Sequence, residues 1–127
     1  MATRFTDSAS PPLLVACLCA QWCGVCRDYE PLMRSTLAQF GADRLTVKWV
    51  DIEDHSDILG DVDVQNFPTL LIARGDTLLF LGTVTPHAQT LQRLVHSALA
   101  EQMAAMLVDD GLRELVANVQ AFQPPNP

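Results

Sequence analysis

Four cysteines, Cys17, Cys19, Cys23 and Cys26, fall within ten consecutive residues at the end of a continuous apolar run, Leu13 to Leu18. A framework of structural disulfides spreads its cysteines to join distant segments, so this clustering places them for chemistry instead. The run itself follows Pro11 and Pro12 and has the pattern of a strand buried on both faces of a parallel sheet. Alternation along a strand sends Cys17 and Cys19 to the same face. The reactive cluster is thereby tied to the end of a central strand.

Beyond Cys23 the apolar positions Leu32, Met33, Leu37 and Phe40 recur at helical spacing, and Gly41 closes the segment. This predicts a helix from about Cys23 to Phe40, with Pro31 inside it. Leu45 to Val50 reads as a second strand and Asp54 to Leu59 as a short helix. Thr69 to Ile72 and Leu78 to Leu81 are two further strands, and the loop Arg74-Gly75-Asp76-Thr77 makes them an antiparallel hairpin. Pro86 opens another helix whose buried stripe is Leu91, Leu94, Val95, Ala98 and Leu99, and whose pattern extends as far as Val108. Asp110-Gly111 breaks that pattern, after which Leu112, Leu115, Val116 and Val119 give a short amphipathic helix. Its stripe needs a partner, either the domain itself or a second copy. The organisation is a tail over 1–12, an α/β domain over 13–100, and a C-terminal helical extension and tail over 101–127.

The formal net charge is −7, from 15 acidic against 8 basic residues, and Lys48 is the only lysine. Asp51, Glu53, Asp54, Asp57, Asp61 and Asp63 concentrate the acidity in one stretch, where a phosphate backbone would be repelled. Neither a nucleic acid nor an anionic membrane is an expected partner. The run lacks the Asp-x-Asp-x-Asp-Gly spacing of a calcium loop and reads as a solvated face. No apolar stretch is long enough to span a bilayer, and Met1 to Pro12 carries no apolar segment of the kind an export signal needs. The expected location is cytoplasmic, a reducing compartment in which a Cys-x-x-Cys pair is catalytic or metal-binding more often than structural.

Cys23 and Cys26 at the start of a helix are one turn apart, within the separation a disulfide permits. The first turn of a helix carries unpaired N–H groups and the positive end of its dipole, which favour a thiolate over a thiol. Cys23 is therefore the expected nucleophile. Cys26, further in, is the expected resolving thiol that releases a mixed disulfide.

Trp22-Cys23-Gly24-Val25-Cys26 after a buried strand, Pro31 in the helix, and Phe67-Pro68-Thr69 before an apolar strand together resemble the thioredoxin family. The resemblance spans about Leu13 to Ala100 and includes Gly75 and Gly82. It implies a thioredoxin fold, a central mixed β-sheet flanked by helices, here with an extra C-terminal helical segment. It also implies a thiol-disulfide oxidoreductase that needs no cofactor or metal. Disulfide-containing proteins would be its substrates and a dithiol donor such as thioredoxin reductase its partner. By the same resemblance Pro68 is a cis-proline facing the disulfide, the Phe67 backbone pairs with an extended substrate, and Trp22, Gly24 and Val25 complete the substrate surface.

The chain departs from the family where it usually keeps a buried aspartate six residues before the first cysteine, for Cys17 stands there. Lys48 takes the place of a lysine the family often keeps near that aspartate, Cys19 replaces a common tryptophan, and Val25 replaces the proline between the cysteines. Resolution is expected to be slower or differently poised than in an ordinary thioredoxin. Cys17 and Cys19 themselves read as buried packing residues, because a free cysteine behaves as a small hydrophobe. Two alternatives stand beside the enzyme: a thioredoxin-like binding or assembly module with little turnover, and a four-cysteine metal site.

Overall fold

The computed structural model describes residues 12–122 except 21, 22, 42, 61, 63 and 65. Four strands, β1 (Leu13–Cys19), β2 (Leu45–Asp51), β3 (Thr69–Arg74) and β4 (Thr77–Thr83), form one sheet in the order β2-β1-β3-β4. β2 runs parallel to β1, whereas β3 runs antiparallel to both β1 and β4. The parallel pair needs a crossover, and α1 (Gly24–Ala38) supplies it. The antiparallel pair needs only the two-residue turn Gly75-Asp76, with Gly75 at φ 61°.

Every residue of β1 is buried. Its alternation divides the core in two. Leu13, Val15, Cys17 and Cys19 pack with Cys26, Tyr29, Met33 and Leu37 of α1, and with Leu91, Val95 and Ala98 of α2 (Ala88–Leu99). Leu14, Ala16 and Leu18 pack on the opposite side with Leu71, Ala73 and Leu78, and with Leu115, Val116 and Val119 of α3 (Asp110–Ala121). This is the two-sided burial that the unbroken apolar run requires.

α2 stops at Leu99, short of the predicted extension to Val108. Glu101 takes a left-handed φ of 59°, while the N–H of Gln102 donates to the Ser97 carbonyl and that of Glu101 to the Ala98 carbonyl. These two bonds make a Schellman stop, which overrides the apolar spacing of the residues that follow. α3 begins at Asp110, with Gly111 inside it, because Asp109 caps it: Oδ1 accepts from the Leu112 N–H at 2.8 Å.

Among the described residues, the stretch between β2 and β3 holds one 3-10 turn, Ser56–Ile58, in place of the expected short helix. That turn is too short to cover a sheet face, and α3 covers it. Gly60, at φ 55°, brings the loop under α3, where a Cβ would stand 2.8 Å from Glu114 Oε1. Asn118 Nδ2 donates to the Ile58 carbonyl at 3.1 Å and Gln120 Nε2 to the Gly75 carbonyl at 2.6 Å. Of the two expected partners for the C-terminal stripe, the domain itself is the one that buries it.

Lys48 belongs to this second face. It pairs in register with Ala16, and Nζ donates to the Val119 and Gln120 carbonyls at 2.8 and 2.7 Å. A cation at the carbonyl-rich end of α3 answers the negative pole of its dipole. Burial pulls the Lys48 pKa below its ordinary value.

Leu115→Ala is expected to cost about 2–5 kcal/mol through the cavity it leaves. Lys48→Met should cost about 1–3 kcal/mol by orphaning the Gln120 carbonyl. Urea unfolding midpoints check both, and wild-type midpoints would mean that α3 does not seal the sheet.

Candidate active site

β1 ends at Cys19 and α1 begins at Gly24, so the cysteines sit where the chain leaves the sheet and turns into the helix. Cys23 is the residue before the helix, with extended φ and ψ of −84° and 117°. Its N–H donates to the Ala20 carbonyl at 3.0 Å, and its own carbonyl accepts from the Arg27 N–H at 3.2 Å. The Cys23 side chain makes no capping hydrogen bond and no acidic residue lies in the first turn. The backbone donors there are left for whatever anion occupies the N-terminus.

Cys26 is one turn further in, on the face of α1 that meets β1, and is only 1% exposed. The sulfur it bonds in this structure is that of Cys19, with the two α-carbons 5.9 Å apart, inside the usual disulfide range. Cys23 is a free, half-buried thiol. The expected bond between Cys23 and Cys26 is therefore not the bond present here. Cys19 is also not the packing residue that its type suggested, because its place on the inner face of β1 sets it beneath Cys26.

Cys17 is a free thiol, buried on the same face. Its Sγ lies 3.3 Å from that of Cys19. Since Cys19 is in a disulfide and carries no hydrogen, the Cys17 S–H is the donor. Burial pushes the Cys17 pKa far up, and the charges of Glu30 and Cys23 add to the effect. Cys17 is therefore a thiol at neutral pH, whereas a carboxyl group in its place could accept and return protons.

Trp49 pairs with Cys17 across the β1–β2 ladder, and Lys48 lies on the other side of the sheet. The expectation that Lys48 stands near position 17 is corrected by this register. A one-residue offset changes the face to which a strand residue points.

Tyr29, one turn beyond Cys26, is buried and, among the described residues, its hydroxyl has no hydrogen-bond partner. Its pKa is pushed up to about 12, by burial and then by Cys17. The sequence reading missed Tyr29, although its spacing of three from Cys26 puts it on the same helix face.

The peptide bond from Phe67 to Pro68 is cis, as the resemblance implied. Leu18 pairs with Thr69, so continuing the register by one residue sets Pro68 beside Cys19. Phe67 packs against the cluster that holds the cysteines, Gly24 is exposed, and Val25 is exposed by 45%. Trp22 lies outside the described residues. A cleft of about 400 Å³ opens beside Cys26, lined by Ala20, Arg27, Glu30, Trp49, Asp51 and Asp54. Among the described residues no group of three or more His, Cys, Asp or Glu side chains is placed to hold a metal ion. No helix among them is long and apolar enough to cross a membrane.

The family model described as thioredoxin matches residues 4–98, well over half of the sequence. The chain belongs to the thioredoxin family. Thioredoxin of Bacillus subtilis (strain 168) is 25% identical over 95 residues, which cover 75% of this chain and 90% of that protein. Thioredoxin of Coprinus comatus is 30% identical over 82 residues, covering 64% and 76% respectively. The crystal structure of thioredoxin from Trypanosoma brucei brucei superposes with a TM-score of 0.61 at 24% identity, over 76% of this chain and 84% of that one. The family match ends just before Leu99, so α3 lies beyond it. Family, fold and a cysteine pair at bonding distance agree on one chemistry, thiol-disulfide exchange.

Two groups at this site resist ionisation in the fold, the Cys17 thiol and the Tyr29 phenol. Above about pH 8.5 an unfolded thiol loses its proton while the folded one keeps it. The native state then binds more protons, and stability is expected to fall as pH rises. Cys17→Ala should flatten the onset of that decline in unfolding experiments run from neutral to alkaline pH. Tyr29→Phe should leave stability equal or raise it by about 1–3 kcal/mol, since it removes an unpaired buried hydroxyl. A clear loss on Tyr29→Phe would mean that the hydroxyl is paired.

Proposed function

We propose that the protein reduces protein disulfides, with Cys23 as nucleophile and Cys26 as resolving thiol. The observation that carries this reading is the free, half-buried Cys23 at the amide-rich start of α1, one turn ahead of an inward Cys26. Starting from the reduced protein, the Cys23 thiolate attacks one sulfur of the substrate disulfide and the other leaves as a thiolate. Cys26 then attacks the Cys23 sulfur and releases the second substrate thiolate. The substrate gains two electrons, and Cys23 and Cys26 end bonded to each other. A dithiol donor such as thioredoxin reductase returns the electrons, in a cytoplasmic setting that keeps thiols reduced.

Exposed Val25 and Gly24 offer a small apolar surface beside the nucleophile. Phe67 packs against the cluster that holds the sulfurs, Pro68 follows it just before β3, and the family resemblance adds Trp22 as a further substrate contact. Apolar contacts to an extended substrate at such a surface give affinity with little sequence selectivity.

The Cys19–Cys26 bond favours a second reading. While Cys26 is tied to Cys19 it cannot resolve a mixed disulfide on Cys23. A client captured by Cys23 in that state would stay bound, which is the behaviour of a holding module.

The reduced wild-type protein is expected to reduce a disulfide-bonded model protein, with Cys23→Ser abolishing the activity. A turbidity or thiol-release assay reads this directly. Wild type no faster than Cys23→Ser would reject the enzyme, and a client that stays disulfide-linked to the wild type but is not held by Cys23→Ser would support the holding module.

A further inference from the structure

The four sulfurs form a file graded by exposure. Cys17 and Cys19 are 0% exposed, Cys26 is 1% exposed, and Cys23 is half-buried at the outer end. Two neighbouring pairs are in sulfur contact and the third is at disulfide spacing. Cys17 Sγ lies 3.3 Å from Cys19 Sγ, Cys19 is bonded to Cys26, and Cys26 is one helical turn from Cys23. Cys26 is the branch point, since it is bonded to Cys19 across the layer and stands at the i+3 spacing from Cys23 that a disulfide permits, yet can bond only one of them.

We propose that Cys19 is a third catalytic cysteine, which takes the disulfide over from Cys23 and stores it in the core as the Cys19–Cys26 bond. This rests on the reading of Cys23 as nucleophile. The Cys19 sulfur attacks Cys26 Sγ, the Cys19–Cys26 bond forms, and the Cys23–Cys26 bond breaks. The proton lost by Cys19 ends on the Cys23 sulfur. One disulfide is exchanged for another at the same oxidation level, so no outside oxidant or reductant takes part.

The transfer has a kinetic consequence. A disulfide that includes half-buried Cys23 can be attacked by the dithiol just released from the substrate, which reverses the reaction. Cys19 and Cys26 are 0% and 1% exposed, whereas Cys23 is half-buried, so the stored bond is far less open to a protein thiol than one that includes Cys23. Thiolate attack depends on access as much as on acidity, so burial protects the product state. The return path runs through Cys23 alone: its thiolate attacks Cys26, Cys19 leaves, and the donor then reduces the Cys23–Cys26 bond. Cys17 ends the file as a thiol whose S–H points at Cys19 and steadies that sulfur when it departs as a thiolate.

The sequence supplies a direct test. Chymotryptic cleavage after Trp22 separates Cys17 and Cys19 from Cys23 and Cys26. The reduced full-length protein is oxidised with one equivalent of a disulfide-bonded synthetic peptide, quenched in acid, blocked with N-ethylmaleimide and digested without reductant. The expected result is two fragments cross-linked through Cys19 and Cys26, with the blocking group on Cys17 and Cys23. In Cys19→Ser the cross-link and the label on Cys23 should both be lost. Unlinked fragments from the wild type, with Cys19 labelled and Cys23 protected, would overturn the relay even if peptide reduction proceeds. Failure of the underlying reading looks different: peptide reduction would then be no faster in wild type than in Cys23→Ser. Oxidising Cys23→Ser with diamide should still yield the cross-link, and its absence there would also overturn the stored bond.

Discussion

Burial of β1 on both faces is the constraint from which the rest follows. A strand with no exposed side requires a layer on each, and the alternation of its side chains decides what each layer meets. Odd-numbered residues put Cys17 and Cys19 under α1, and even-numbered ones put Leu14, Ala16 and Leu18 under α3. The chemistry and the C-terminal helix are therefore opposite sides of one decision made by a single strand. Because Leu115, Val116 and Val119 share the second face with Leu14, Ala16, Leu18 and Ile58, α3 is part of the sheet's support and not an appendage.

The same strand explains why the sulfurs meet. β1 ends on Cys19, α1 begins at Gly24, and the Cys19–Cys26 bond sets the first turn of the helix against the end of the strand. Residues at i and i+3 on α1 then share the inward face, which brings Cys26 and Tyr29 onto the sulfur layer while Cys23 stays at the rim. Depth in the layer, and not distance along the chain, separates Cys23 at the rim from the three buried cysteines. The outermost can meet a substrate and the innermost is kept protonated by its surroundings.

Much of this was legible in the sequence, for identifiable reasons. The run Leu13 to Leu18, the hairpin around Gly75 and the stripe Leu112 to Val119 each carry a strong period or turn residue, and each was found where predicted. The motif around Cys23 and the Phe67-Pro68 pair led to the family and to the cis bond. What escaped depends on relations between segments. The end of α2 is set by two backbone bonds around Glu101, and no residue type there announces them. The position of Lys48 depends on the register of β2 against β1, where one residue of offset exchanges the faces. The partnership of Cys19 with Cys26 joins a strand end to a helix turn, although the shared face of Cys17 and Cys19 was the available hint.

Position 17 shows how the departure from the family becomes a different solution. A buried carboxylate near a resolving thiol can take its proton, but it must be kept in an apolar layer at a desolvation cost of several kcal/mol, about the size usual for a buried ion. A thiol there avoids that cost and cannot do the same proton chemistry, since burial holds it neutral. It can donate to the adjacent Cys19 sulfur, and Cys19 can bond Cys26. The layer that lacks a base thus has a second sulfur within bonding reach of the resolving thiol. Its product state is protected by depth, where a proton relay would have governed rate.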